Sequence, residues 1–154
     1  MTIKNQHSKK LYFDVCTLCR PFDDQNVMKI RIETDAFYLI LEALQNKKYK
    51  MIASPVHFEE INAIKDPHER YELVALLTKY GTDLPCDLGK IRARAEYLYS
   101  KRFGVADASH IAFAEATADF FISCDEKLLK KCLKTRINIE AMNPVKFAVM
   151  EDLK

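Results

Sequence analysis

The sequence contains no tryptophan, and it has only three glycines and five prolines among 154 residues. So few turn-forming residues argue against an all-β sandwich or barrel, which needs many tight turns. No apolar segment approaches the roughly 18 residues of a membrane-spanning helix. The polar start, MTIKNQHSKK, lacks the apolar segment of a signal peptide. We therefore expect a cytosolic protein that does not enter a membrane.

No linker rich in glycine, serine or proline divides the chain, and no internal repeat is visible. Hydrophobic residues make up 49% and charged residues 30%, which is typical of a folded globular domain. The length is that of one domain. We expect a single domain over residues 1–154, with a loose start at residues 1–10.

The chain has almost no net charge, at +2, so its total charge does not indicate a nucleic-acid-binding protein. The charges are unevenly placed, however. Residues 88–102 and 126–136 together carry ten basic side chains and two acidic ones. They are either solvated helix faces or a path for RNA phosphates, and the sequence leaves both interpretations open.

Short apolar segments alternate with segments of helical periodicity. The predicted strands are 11–15, 50–54, 120–123 and 137–141. Helices are predicted over 27–46, 55–65 and 68–80, around 91–98, from Asp107 and from Glu126, with loops at 20–26 and 81–87. Short, wholly apolar strands between helices indicate a parallel sheet covered on both faces. The sequence thus predicts a three-layer α/β/α fold with a central, mainly parallel sheet.

Three aspartates occupy positions where such sheets bind ligands. Asp14 ends the first predicted strand and Asp125 follows the third, so both should reach the carboxyl edge of the sheet. Asp107 begins a helix nearby in the predicted order. Taken singly, each is more simply explained as a helix cap or turn residue.

Glu60 is harder to explain as a surface residue. One helical turn away on either side lie Val56, Ala63 and Ile64, which are apolar, so Glu60 should project from a buried stripe. A buried carboxylate is costly unless a cation or helix terminus is close. Together with the three aspartates it would form a site of hard oxygen ligands, which suits Mg²⁺ or Mn²⁺ better than Zn²⁺.

Other reactive side chains have simpler explanations. His110 is expected to pack and hydrogen-bond structurally, and His57 to be peripheral. Phe22, in a loop, is a candidate for base stacking or a dimer contact. Arg20, close to Asp14 in the sequence, is a candidate for phosphate contact because guanidinium binds phosphate in a bidentate manner.

Cys16 and Cys19 form a C-x-x-C pair after the first strand, which is typical of either a redox pair or half of a metal site. The second pair that a structural zinc site requires is missing, because Cys86, Cys124 and Cys132 are isolated. We expect five free thiols, and we keep a redox protein as a minor alternative.

Four segments, in order, resemble the motifs of PIN-domain ribonucleases, a family that includes the VapC-type toxins of toxin–antitoxin pairs. The resemblance covers about residues 11–147. The segments are LYFDVCTLCRPFDDQ (11–25), SPVHFEEI (54–61), GVADASHIAFAEA (104–116) and ADFFISCDEKLLKK (118–131). One departure is that many relatives have Ser, Thr or Asn two positions after the first aspartate, where this chain has Cys16.

The resemblance implies a central parallel sheet flanked by helices and a metal-dependent endoribonuclease. Its catalytic and metal-binding residues would be Asp14, Glu60, Asp107 and Asp125, holding one or two Mg²⁺ or Mn²⁺ ions. A metal-activated water would attack an RNA phosphodiester and leave a 5′-phosphate and a 3′-hydroxyl. Thr17, Arg20 and Ser123 are the expected substrate contacts.

The resemblance also implies possible partners, since family members often form homodimers and bind a small antitoxin protein. RNA would be the substrate. The competing hypothesis is a PIN-like module that binds RNA or protein without catalysis, motivated by the cysteine at position 16.

Overall fold

The computed structural model describes residues 8–154. Its elements, in chain order, are β1 (Lys9–Phe13), α1 (Val15–Cys19), a 3₁₀ turn (Arg20–Phe22), α2 (Met28–Gln45), β2 (Tyr49–Ile52), α3 (Pro55–Asn62), α4 (Pro67–Tyr80), β3 (Gly81–Thr82), α5 (Leu88–Ser100), α6 (Val105–Thr117), β4 (Phe120–Ile122), α7 (Glu126–Thr135), β5 (Glu140–Met142) and α8 (Pro144–Met150). Within residues 8–154, no helix has both the length and the apolar character needed to cross a membrane.

The five strands form one sheet in the order β3-β2-β1-β4-β5, and every neighbouring pair is parallel. β1 is the central strand. Its Leu11 pairs with Met51 of β2 on one side and with Phe120 of β4 on the other. The predicted α/β class with a parallel sheet is confirmed.

Helices cover both faces of the sheet. Successive side chains of β1 point to opposite faces, so each face contributes to a separate buried cluster. Leu11 and Phe13 belong to one buried hydrophobic cluster, which also includes side chains from α2, α4 and α8. Tyr12 belongs to a second cluster, with side chains from α5, α6 and α7. This arrangement explains why the strands are apolar on both faces, and it confirms the three-layer architecture.

The sheet order places a topological switch point between β1 and β4. From β1 the chain winds outward through β2 to β3, and it then returns to the other side of β1 to form β4 and β5. The pairing continues just past the strand ends, where Asp14 N donates to Ile122 O at 3.2 Å. Ligands of open parallel sheets bind in the crevice at such a point, beyond the carboxyl ends of the strands.

The start of the chain and the residue after β1 differ from the prediction. The expected loose start covers residues 1–10, but Lys9 and Lys10 already pair with β2, and residues 1–7 lie outside the described residues. The first strand was predicted to reach Val15, yet it ends at Phe13. Asp14 caps α1, and the chain turns into that helix at once.

Two further differences lie at the sheet edges. The predicted loop 81–87 begins with the edge strand β3. The strand predicted at 137–141 is displaced to Glu140–Met142. Arg136 adopts a left-handed conformation with φ of 57°, and Ile137 N bonds to Cys132 O at 3.3 Å. This is a helix-ending pattern, so Ile137 completes the end of α7 instead of starting a strand.

Gly81 joins α4 to β3 where there is no space for a side chain. A Cβ built at this position would clash with Leu77 O and lie 2.7 Å from the Ala53 Cβ. We predict that Gly81→Ala lowers the free energy of unfolding by about 1–3 kcal/mol through overpacking. Gly89→Ala is the control, because its Cβ would meet only the Asp87 carboxylate at 3.3 Å, and alanine favours the α5 helix. Urea unfolding followed by circular dichroism measures both, and equal stabilities would contradict the prediction.

Candidate functional site: a carboxylate cluster at the switch point

Asp14 is buried at the carboxyl end of β1, with 4% of its surface exposed. Its Oδ1 accepts hydrogen bonds from Thr17 N at 3.1 Å and from Thr17 Oγ1 at 2.6 Å. Its Oδ2 accepts from Cys16 Sγ at 3.0 Å and from Ser123 Oγ. A carboxylate offers about four acceptor sites, so donors of the chain itself already use all of them.

Thr17 and Ser123, the predicted hydroxyl contacts for substrate, are fully buried. Each also accepts a backbone hydrogen bond from the segment after β4: Cys124 N donates to Thr17 Oγ1 at 3.1 Å, and Asp125 N donates to Ser123 Oγ at 3.0 Å. These hydroxyls therefore connect the two strand ends and orient Asp14. Both have no exposed surface, and their contact with a substrate stays a prediction.

Arg20, the predicted phosphate contact, is held in ion pairs. Its Nε and Nη2 lie 3.2 and 3.1 Å from Glu33 Oε1, and its Nη1 lies 3.0 Å from Asp23 Oδ2. Glu33 is itself buried in α2, so Arg20 compensates a buried negative charge. The sequence gives little sign of this pairing, because the two residues are brought together only when α2 packs against the 3₁₀ turn.

Glu60 lies at the edge of the buried face of α3, and 36% of its side chain is exposed. The buried residues of this helix are His57 and Ile61, so Glu60 lies beside the buried stripe from which it was predicted to project, and it is only partly covered. The Glu60 carboxylate meets His110, whose Nε2 contacts Glu60 Oε1, and the cation or helix terminus that was expected near Glu60 stays a prediction. His110 is buried and packs structurally, as expected.

Asp107 was predicted to cap α6, but Gly104 is the cap, and Asp107 occupies the first turn. The pKa of Asp107 is raised by burial, by the negative charges of Asp14 and Asp125, and to a lesser degree by that of Glu60. The other three predicted acids thus act electrostatically on Asp107. We call Asp14, Glu60, Asp107 and Asp125 the carboxylate cluster. Like charges crowded in this way are typical of functional sites, although structural networks also produce them.

Asp125 is the most accessible of the four acids. It caps α7 by accepting a hydrogen bond from Leu128 N at 3.1 Å. The capping role that the sequence offered as the simpler explanation is thus present for both Asp14 and Asp125. That role does not exclude a second one, since the cap places each carboxylate at the crevice beside the switch point.

The side chains of these four acids can be compared with the ligands that the implied metal ion takes. Among residues 8–154, no group of three or more His, Cys, Asp or Glu side chains has metal-binding geometry as placed. The chemistry of the donors nevertheless fits Mg²⁺ or Mn²⁺, which take oxygen ligands. An ion at Asp14 would have to displace one of its four hydrogen-bond donors, and the thiol of Cys16 is the weakest of them.

His57, expected to be peripheral, is fully buried. Its Nδ1 accepts from Ser54 N at 3.0 Å, and its Nε2 donates to Phe13 O at 2.6 Å. Sequence reasoning missed this role, although a signal was present. Ser54 precedes His57 by three residues, which is the spacing of a capping box with histidine in place of Glu or Gln.

The C-x-x-C pair lacks the features of a redox site. Cys16 donates its thiol proton to Asp14, which favours the protonated thiol. Burial, together with Glu69, raises the pKa of Cys19 to about 12. Reactive cysteines have lowered pKa values, so both observations argue against the redox hypothesis. All five cysteines are free, as expected.

The two basic segments lie on α5 and α7, and nine of their ten basic side chains are exposed. Arg94 is the exception, because it forms a two-point ion pair with Glu115 at 2.7 and 3.0 Å. The segments meet where Lys131 Nζ donates to Arg102 O at 2.9 Å. This contact lies in the connection between α5 and α6, and it brings the two basic segments together.

Compared with known protein families, curated proteins and solved structures, the chain has no match.

We predict that His57 makes the protein sensitive to acid. Burial, and next the neighbouring His110, lowers the pKa of His57 from 6.5 to about 4. As pH falls below 6.5, the unfolded state therefore takes up a proton that the folded state does not. Stability is lost progressively between these two values, by about 3 kcal/mol at most.

The measurement compares urea unfolding of the wild type and His57→Gln at pH 7 and pH 4.5. Glutamine is polar and does not titrate, so the variant should lose less stability between the two pH values. His68→Gln is the control, because His68 is an exposed residue of α4. If the wild type and His57→Gln lose the same amount, His57 is not the acid-sensitive group.

Proposed function

We propose that this protein is a metal-dependent endoribonuclease of the PIN-domain type. The observation that carries the proposal is the placement of Asp14 and Asp125 as helix caps beyond the carboxyl ends of β1 and β4, the two strands at the switch point, with Ser123 Oγ bonded to both the Asp14 carboxylate and Asp125 N. The charges of these two residues and of Glu60 also act on Asp107. A divalent cation relieves the repulsion within such a carboxylate cluster. Carboxylate-bound divalent cations are also what hydrolytic cleavage of phosphodiesters commonly uses.

In this proposal Asp14 and Asp107 are the main ligands of one or two Mg²⁺ or Mn²⁺ ions, and Glu60 and Asp125 complete the set. A bound ion supplies positive charge that makes a water more acidic and offsets the charge developing on the phosphate. Glu60, half exposed at the edge of the cluster, is suited to accept a proton from the attacking water. The products would be a 5′-phosphate and a 3′-hydroxyl.

Hydrogen bonds within the protein hold the Asp14 carboxylate in place. Thr17 and Ser123 hold both oxygens of Asp14, so its carboxylate keeps one orientation. The exposed basic side chains of α5 and α7 are suited to bind RNA phosphates beside the cluster. A cytoplasmic location, a homodimer and a small antitoxin partner complete the proposal. The five free cysteines fit a reducing compartment.

A non-catalytic RNA- or protein-binding module is the second candidate. It is favoured by the hydrogen bonds that already use the acceptor sites of Asp14, because a structural carboxylate needs no further ligand. The two candidates differ in whether metal binds and RNA is cleaved, which the following predictions address.

Asp107→Asn should abolish Mn²⁺-dependent cleavage of a fluorescently labelled single-stranded RNA and weaken Mn²⁺ binding measured by calorimetry by at least about tenfold. The reason is that an amide oxygen carries no negative charge for the ion. Asp107 is preferable to Asp14 for this test, because Asp14→Asn would also disturb the hydrogen bonds of Thr17 and Ser123.

The matched control is Asp35→Asn, an exposed position on α2 that is not among the charges acting on Asp107. It should cleave and bind Mn²⁺ like the wild type. Unchanged cleavage by Asp107→Asn would exclude the proposed site. RNA binding without Mn²⁺ binding or cleavage in the wild type would favour the non-catalytic module.

Cys16→Ala should increase Mn²⁺ affinity a few-fold, because it removes a donor that occupies an acceptor site of Asp14 Oδ2. A weak hydrogen bond of about 0.5–1 kcal/mol corresponds to a change of this size. Calorimetric titration at neutral pH measures the affinity. Cys86→Ala is the control, since Cys86 is a free thiol in the connection between β3 and α5. Lower affinity in Cys16→Ala would show that the thiol supports the site.

A further inference from the structure

A connected set of buried polar side chains extends from Glu60 into the protein. His110 Nε2 contacts Glu60 Oε1, and His110 Nδ1 lies 2.6 Å from Tyr12 Oη. Tyr12 Oη lies 2.7 Å from Ser54 Oγ. Ser54 N in turn donates to His57 Nδ1 at 3.0 Å. All these side chains except Glu60 are buried. We call this set, from Glu60 to His57, the buried relay.

The hydrogen bonds of the relay have a consistent direction. Burial raises the pKa of Tyr12 far above its ordinary value, so its hydroxyl keeps its proton. Ser54 can donate to Tyr12 Oη, and Tyr12 can donate to His110 Nδ1. This leaves the proton of His110 on Nε2, where it is donated to Glu60. Within the described part of the chain, no buried side-chain nitrogen or oxygen lacks a partner.

The relay ends at β1, the strand that leads directly into Asp14. His57 Nε2 donates to Phe13 O at 2.6 Å, and Phe13 immediately precedes Asp14. Tyr12 stacks against His57 with ring centroids 4.5 Å apart, so the rings are also packed in place. The side chain of Glu60, although half exposed, is therefore connected to the end of β1 through rigid, buried groups.

We propose that His110 is a positioning residue, held by Tyr12, which fixes the Glu60 carboxylate towards Asp107 and Asp14. This inference rests on the proposed function, and it deepens it by assigning a role to two side chains outside the carboxylate cluster. Glu60 has a long side chain on a short helix, and without the Nε2 donor it is free to turn to solvent. His110 does not touch the substrate in this role, and it acts only through Glu60.

Two substitutions of similar size separate this role from simple packing. The amide nitrogen of glutamine can occupy the place of Nε2, so His110→Gln keeps a donor for Glu60. The shorter side chain of His110→Asn reaches only the place of Nδ1, so it keeps the contact with Tyr12 and loses the one with Glu60. RNA cleavage with Mn²⁺ should therefore fall about 10- to 100-fold in kcat for His110→Asn. It should stay within about threefold of wild type for His110→Gln, and KM should change little in both.

His68→Asn is the matched control, because His68 is exposed on α4 and its ring contacts only that of Phe22 at 6.4 Å among the described aromatic pairs. It should cleave like the wild type. A double-mutant comparison tests whether His110→Asn lowers the cleavage rate through Glu60. In a Glu60→Gln background, His110→Asn should cause no further loss if His110 acts through Glu60. An additional, fully multiplicative loss would overturn the proposal.

A spectroscopic measurement tests the relay without RNA or metal. Nitrogen-15 NMR of the His110 ring should find Nε2 protonated, and the Nε2 proton should move upfield in Glu60→Gln. An unprotonated Nε2 would overturn the inference. So would equal cleavage by His110→Asn and His110→Gln in an active wild-type background. A wild type that cleaves no RNA would instead remove the proposed function, and the positioning role with it.

Discussion

The burial of one carboxylate organises the centre of this protein. Asp14 stands at the end of the central strand with almost no exposed surface, and a buried carboxylate is tolerated only when its oxygens are hydrogen-bonded. The donors come from α1 and from the segment after β4. Satisfying Asp14 therefore requires the two neighbouring strand ends at the switch point to meet in one register.

The same strand end anchors the second polar system of the site. Tyr12, Phe13 and Asp14 are consecutive, and each contributes a different group: a hydroxyl to His110, a carbonyl to His57 and a carboxylate to the cluster. Glu60 and Asp14 thus depend on one short segment of backbone, although they lie 46 positions apart in the sequence. This shared anchoring is how a half-exposed acid on a short helix can keep a fixed relation to a buried one.

The fold class could be predicted from the sequence because it follows from the hydrophobic pattern of short segments. Short apolar strands between helical periods indicate a covered parallel sheet, and all four predicted strands are present apart from shifts at their ends. The two-residue strand β3 has no local pattern of its own, since it forms only by pairing with β2 at the sheet edge. The cap of α6 was misplaced because Gly104 and Asp107 are both acceptable starts for a helix, and only the backbone conformation decides between them.

The candidate site was predictable as a set of acids but not as a set of contacts. The carboxyl ends of parallel strands lie at one edge of the sheet, so the predicted strands alone indicate that Asp14 and Asp125 lie at that edge. Partners distant in sequence are different, because nothing local links Arg20 to Glu33 or Glu60 to His110. Arg20, Thr17 and Ser123 satisfy charges and acceptors inside the protein, whereas most basic side chains of α5 and α7 are exposed. The near-zero net charge of +2 hides an uneven distribution, because residues 88–102 and 126–136 carry ten bases and only two acids.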